Sequence, residues 1–181
     1  MTPDKLKAIL ADHALWLHDE GGKRADLQEA DLQEADLQWA FLRGANLRWA
    51  DLRGADLQGA NLQGADLQEA VLQGANLQGA DLQEAVLQGV NLCGATGNMR
   101  EVKSAQFDTW PITWTRSPDG VTTLQIGCQR HDLELWRKSD PRWIAAMNED
   151  ATGWWAQYRD VVLALVDASP AVPWGNKENK T

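Results

Sequence analysis

Leucine recurs every fifth residue through the middle of the chain. From Ala25 the sequence reads ADLQE ADLQE ADLQW AFLRG ANLRW ADLRG ADLQG ANLQG ADLQE AVLQG ANLQG ADLQE AVLQG VNLCG, fourteen tandem repeats ending at Gly94. The third position is always leucine: Leu27, Leu32, Leu37, Leu42, Leu47, Leu52, Leu57, Leu62, Leu67, Leu72, Leu77, Leu82, Leu87 and Leu92. The first is alanine except at Val90, and the second is Asp or Asn except at Phe41, Val71 and Val86. A period of five fits neither an amphipathic helix, which needs spacings of three and four, nor a flat strand with period two. It fits a chain that turns a corner every five residues. Each side then sends one Leu and one Ala inward, and glycine at the fifth position suits the turn. Successive turns of such a chain can stack and pair their backbones at about 4.8 Å. The leucines are the expected core.

The flanks carry other patterns. Thr2, Pro3 and Asp4 read as an N-cap, a first-turn proline and a first-turn acid. Leu6, Ile9, Leu10, His13, Trp16 and Leu17 follow at helical spacing, so a helix is expected over residues 2–18, ended by Gly21 and Gly22. His13 reads as a helix-face residue and not a ligand. The helix is expected to cap the first coil, because a stack of coils leaves apolar ends and unpaired edges. After Gly94, residues 95–99 read as a decayed repeat leaving the coil. WPITWT (110–115) and VTTLQIG (121–127) flank the turn Ser117, Pro118, Asp119, Gly120, which predicts a hairpin. Short helices are expected from His131 through Trp136 and from Asp140-Pro141 onward with Trp143, Ile144 and Met147. A longer one is expected from Thr152 to Ala168 with the stripe Trp154, Trp155, Tyr158, Val161, Val162, Leu165, Val166. The expected organisation is a capping helix (1–24), a β-solenoid (25–98), a tryptophan-rich α+β domain (99–170) and a flexible tail (171–181).

Charge and composition sharpen this division. Residues 25–94 carry eleven acids against Arg43, Arg48 and Arg53, whereas the chain as a whole has a formal charge of −9. The acidity therefore belongs to the repeats, and direct nucleic-acid binding is not expected. Seven of the ten tryptophans follow residue 100. No run of eighteen apolar residues and no leader pattern appears, so neither a membrane span nor export is expected, and a cytoplasmic location is. Two cysteines make no disulfide framework.

The A(D/N)LxG run resembles the pentapeptide-repeat family. That resemblance implies a mainly β fold built on a right-handed four-sided β-helix with twenty residues to the coil, here about 3.5 coils. Some members of that family imitate DNA and inhibit type II topoisomerases such as DNA gyrase, and about 17 Å of solenoid axis parallels a length of duplex carrying about ten charges. Asp31, Asp51, Asp36 and Asp56 are the acids such mimicry would use. Against it stand a short array, acids spread over all four faces, and no loop insertion. The alternative is a solvated surface in which aspartates often alternate with Asn or an apolar residue and Gln28, Gln68 and Gln88 form an amide ladder. The segment LQIGCQRHDLELW and the later GWW helix resemble tails of phage- and prophage-encoded small proteins, over about residues 105–168.

Chemistry has few candidates. Cys128 and His131 form a C-x-x-H pair without the further ligands zinc needs and without an orienting partner for nucleophilic attack. No phosphate loop, metal cluster or dinucleotide fingerprint is present. No catalytic residue, metal or cofactor is expected. The expected function is a non-enzymatic protein-interaction or scaffold module, with DNA mimicry as the alternative. Its individuality lies at Trp39, Phe41, Arg43, Trp49 and Arg53, where aromatic and basic residues interrupt the repeat. Trp39, Phe41 and Trp49 are expected to form a cluster that either meets a protein partner or packs against the terminal helix or tail. Trp154 and Trp155 are the candidates in the C-terminal domain, which is expected to cap the stack and either form a homodimer or bind a protein.

Overall fold

The structure, a computed structural model, describes residues 1–106, 110–127, 129–147 and 151–174. The repeats wind into a β-solenoid of twenty-residue coils. Parallel bridges join residues twenty apart along every side, from Asp26 with Asn46 to Asn76 with Thr96. Each side holds one such bridge and then turns, so the sides are too short to form strands. The regular strands lie after residue 100.

The repeat works because it disposes of every backbone N–H. In the first repeat and its neighbours, Leu27 N–H donates to the Asn46 carbonyl at 2.8 Å and Glu29 N–H to the Arg48 carbonyl at 2.8 Å. Asn46 N–H donates back to the Ala25 carbonyl at 3.0 Å, and Ala30 N–H closes the corner on the Leu27 carbonyl at 3.1 Å. Four of five donors are thus used between coils or across the corner. The fifth, on the fourth-position residue, is taken by the Asp or Asn side chain two residues earlier. All eleven polar second-position residues accept this bond, from Asp26 to Asn91, at 3.0–3.3 Å. The Asp/Asn preference is a backbone requirement, the Asx turn. Inside, Leu42, Leu47, Leu52, Leu57 and Leu62 are wholly buried with Ala45, Ala50, Ala55 and Ala60 between them.

α1 (Pro3–Leu17) closes the first coil. Thr2 caps it as expected, its hydroxyl accepting from Lys5 N–H, and Leu6, Ile9 and Leu10 pack on the solenoid core. The helix ends at Leu17, earlier than the glycine pair, because Glu20 N–H turns back to the Leu15 carbonyl at 2.9 Å. Gly22 serves the return of the chain instead. Its φ is +74°, and a Cβ there would stand 2.2 Å from the Asp12 carbonyl oxygen.

His13 makes the decisive contact of this cap. Ala25 begins the first repeat, so no preceding leucine carbonyl exists to receive its N–H. His13, fully buried, supplies Nδ1 as acceptor at 3.0 Å. The ring must then be neutral with its proton on Nε2. Burial, chiefly, and the charge of Arg24 hold its pKa below the usual histidine value, while the nearby Arg43 carbonyl offsets part of this. Nε2 makes no hydrogen bond among the described residues.

At the other end the ladder continues further than the decayed repeat suggested: Leu77 N–H donates to the Thr96 carbonyl at 2.8 Å. The chain then forms an antiparallel meander of β1 (Val102–Gln106), β2 (Pro111–Arg116), β3 (Thr122–Ile126) and β4 (Gln129–Asp132). The β2–β3 hairpin matches expectation. β1 and β4 were not foreseen. Ile112, Trp114, Leu124 and Ile126 face a second core closed by α2 (Leu133–Lys138), α3 (Pro141–Met147) and α4 (Ala151–Ala168). On α4, Leu163 is buried while Val161 is 57% exposed, so the apolar stripe runs through Leu163. The opposite sheet face, with Thr113 and Gln125, meets the solenoid end: Gln125 Oε1 accepts from Leu92 N–H at 3.0 Å and Thr113 Oγ1 donates to the Leu92 carbonyl. Residues 171–174 are not loose. Val172 and Trp174 donate to the Arg100 and Arg116 carbonyls, and Trp174 packs on the solenoid core. Residues 175–181 lie outside the described residues.

Two outcomes follow from this wiring. Asp81→Asn should leave stability nearly unchanged in urea unfolding, because the amide oxygen still accepts from Gln83 N–H, whereas Asp81→Ala should cost about 1 kcal/mol. Equal loss in both variants would show that the charge, not the turn, matters. For His13 the native pKa is lowered, so the unfolded chain binds the extra proton. Its contribution is complete above the unfolded value of about 6.5 and is lost as pH falls below it. The urea midpoint should drop between about pH 6.5 and pH 5 in the parent, and the drop should flatten in His13→Gln. An unchanged profile in that variant would remove His13 from the account.

Candidate functional site

With most of the backbone of the inner coils satisfied internally, a functional surface is sought first among the outward side chains. Most of the acids are engaged. Asn46 Nδ2 donates to Asp26 at 2.9 Å, while Asp56 receives Gln38 Nε2 at 2.7 Å and Asn76 Nδ2 at 3.1 Å. Arg53 forks onto its own repeat, placing Nε 2.8 Å and Nη2 2.6 Å from the two oxygens of Asp51. That hydrogen bond is the main reason the Asp51 carboxyl is held below the usual range. Arg48 approaches Asp66 at 4.0 Å. Asp31 and Asp36 hold the Gln33 and Gln38 amides. The expected glutamine ladder does not form: Gln28 donates to Glu29 and accepts from Asn46. Asp and Asn partners outcompete glutamine because they sit directly above one another on each side.

The aromatic interruptions separate. Trp39 and Trp49 are two corners apart on a four-cornered coil, so they occupy opposite corners and different coils. The expected Trp39–Phe41–Trp49 cluster therefore does not exist. All three stand exposed, at 67%, 66% and 53%. Trp39 lies across the corner glycine of the next coil, where a Cβ on Gly59 would meet its ring at 2.2 Å. Phe41 follows it on the first coil. Trp16 of α1, stacked on His13 at 5.3 Å between centroids, reaches the adjoining Gly44 corner and remains 39% exposed. Trp39, Phe41 and Trp16 therefore edge the N-terminal end, with Arg43 in the same repeat as Phe41. Trp49 is elsewhere, between Glu29 and Glu69 in its corner column.

Both departures in this strip oppose the local rules. Trp39 holds a φ of +57° where glycine is favoured. Phe41 gives up the side-chain acceptor its repeat needs, and Arg43 N–H has no protein partner among the described residues. The same left-handed φ occurs at Glu29, Glu34, Trp49, Glu69 and Glu84, and Val71 and Val86 also forgo the acceptor, so what sets this strip apart is its exposed aromatic surface.

Other candidates resolve as structural. Trp154 and Trp155 are 8% and 5% exposed within the second core, and Trp155 Nε1 donates to Ser139 Oγ at 2.9 Å. Their expected role as an interaction surface is thereby corrected: helical spacing turned them toward the sheet. Cys128 lies outside the described residues. Its proposed partner His131 is edged by Trp136 and Trp143, with centroids 5.8 and 5.1 Å away. Among the described residues no cluster of three metal-ligating side chains occurs, and no helix is long and apolar enough to cross a membrane.

Comparison with known proteins agrees with the repeat. Residues 23–59 and 60–96 match the family model for pentapeptide repeats, in eight copies. Among solved structures, a pentapeptide repeat protein from the cyanobacterium Cyanothece is 39% identical over 41% of this chain and 52% of its own, with a TM-score of 0.32. A pentapeptide repeat protein of the Arabidopsis thaliana thylakoid lumen is 32% identical over 41% and 55%, with a TM-score of 0.27. One from Nostoc is 35% identical over 45% and 72%, with a TM-score of 0.16. The chain spans about half the length of the first two. No curated protein matches it. Through residues 23–96 the chain belongs to the pentapeptide-repeat family.

Proposed function

We propose that this protein is a non-enzymatic interaction module that holds a partner protein against the rigid solenoid wall, with Trp39 and Phe41 as the anchors. The observation that carries this reading is the pair of large aromatics left exposed side by side in sequence on the solenoid wall. A left-handed tryptophan costs about 1 kcal/mol relative to glycine, and a forfeited Asx bond about as much. A merely solvated wall would carry Gly or Glu and Asp or Asn there, as the adjoining repeats do at Glu34, Gly44, Asp36 and Asn46. Large aromatics on an immobile backbone bury much area for little lost side-chain freedom, which suits them to anchor a protein partner.

The alternative, a wall that stands in for DNA, has weaker support. The aspartates already have a reason to be present in the Asx turns, and Arg53 and Arg48 offset Asp51 and Asp66. A DNA-like lattice would need its charges unopposed.

Phe41→Asn should stabilise the protein by about 1 kcal/mol in urea unfolding, because it restores the missing turn bond. Combined with Trp39→Gly, it should abolish capture of the partner from cell lysate, while an Asp31→Asn, Asp36→Asn, Asp51→Asn, Asp56→Asn variant retains it. The reverse pattern, together with inhibition of DNA gyrase by the parent, would replace this reading with mimicry.

A further inference from the structure

The C-terminal end of the solenoid is capped unevenly: among the described residues the Asp81 side is covered only at its Ala80 carbonyl, and the side that receives no cover at all borders a cavity. In every inner coil, the third- and fifth-position N–H groups and the first-position carbonyl bond to the coil above. In the last coil, the Asn76 side meets Thr96 through Leu77 N–H and the Ala75 carbonyl. Asn98 Nδ2 covers the Ala80 carbonyl at 3.1 Å. Gln125 covers Leu92 N–H, and Arg130 Nη1 covers the Val90 carbonyl at 2.6 Å. The Val86 side receives nothing: Leu87 N–H, Gly89 N–H and the Ala85 carbonyl have no partner among the described residues. These groups repeat the spacing at which Leu67, Glu69 and Ala65 pair with the coil above them.

This edge floors a groove of about 960 Å³ whose opposite wall is the solenoid-facing side of the sheet, with Thr113, Thr115, Thr123 and Gln125. A row of unpaired donors and an acceptor at ladder spacing is complementary to one thing above all, another extended backbone. We propose that an extended peptide segment of a partner protein adds here as the missing side of the next coil, accepting from Leu87 and Gly89 and donating to the Ala85 carbonyl. The site also selects side chains. Leu87 is only 6% exposed, so the inward positions take small residues such as alanine. Asp119, Asp132 and Glu134 outnumber the two bases of the groove, Lys138 and Arg130, the latter held on the Val90 carbonyl. The outward positions therefore favour basic residues. This site lies at the opposite end of the solenoid from Trp39 and Phe41 and stands or falls separately from them.

Amide hydrogen exchange on the full chain, read by NMR, tests the proposal. The probe is a blocked octapeptide of alternating lysine and alanine. At saturation it should slow exchange at Leu87 and Gly89 about tenfold, the equivalent of one added hydrogen bond, and leave Leu47 unchanged. A backbone N-methylated copy and a glutamate–alanine copy should do neither. Thr123→Trp, which fills the groove, should abolish the protection, with unchanged Leu47 exchange reporting an intact solenoid. Unaltered exchange at Leu87 and Gly89 in millimolar lysine peptide would overturn the proposal, as would protection that survives Thr123→Trp. Protection already present in the free protein and lost on removing residues 175–181 would also overturn it, by making the chain's own end the occupant.

Discussion

The structure depends on satisfying five backbone donors in each five-residue repeat. Coil stacking uses three and the corner uses one. The remaining N–H, on the fourth residue, faces outward and can be met only by a short side chain two residues back. That need makes the second position Asp or Asn, much as crowding makes the first position alanine and the corner makes the fifth glycine. A wall that seems decorated with acid is in large part a backbone whose last donor has been covered. The high negative charge of the repeats is then partly a by-product of using Asp where Asn would serve equally; where Asp stacks on Asp, at Asp31–Asp51 and Asp36–Asp56, Arg53 and the Gln38 and Asn76 amides relieve the repulsion.

Much of this was legible in the chain. Fourteen leucines at one period mark the core and a turn every five residues, the four-sided coil comes from the family resemblance, and the caps of α1 and the β2–β3 hairpin follow from local residue chemistry. What the pattern hid was the purpose of its most visible polar position. Asp and Asn in a regular row look like surface, because a side-chain bond to the backbone two residues on leaves no periodic apolar trace. The Trp39–Trp49 error has a different origin. Ten residues is short along the chain but half a circuit around a coil of four corners, so neighbours in sequence become opposites in space. β1 and β4 escaped notice because VKSAQ and QRHD have little apolar alternation; each is held by pairing to the hairpin, from Val102 with Thr115 to Thr123 with Asp132. Trp154 and Trp155 read as surface candidates only because tryptophan was counted before its burial could be.

The two ends of the solenoid solve one problem by different means. At the start, a single helix covers the apolar end with Leu6, Ile9 and Leu10, and one imidazole replaces the absent leucine carbonyl. A helix has no backbone donors or acceptors to spare along its length, so it covers apolar surface well and strand edges poorly. At the finish, the sheet approaches side-on and sends polar side chains across. Gln125, Thr113 and Arg130 reach only the nearest side, and Asn98 reaches the next because the chain is still leaving the coil there. Side chains of this length cannot span the whole square. An end capped by a packed domain, and not by a further coil, therefore leaves some of its edge exposed to whatever strand can enter, and the Val86 side is where the cavity lets one in.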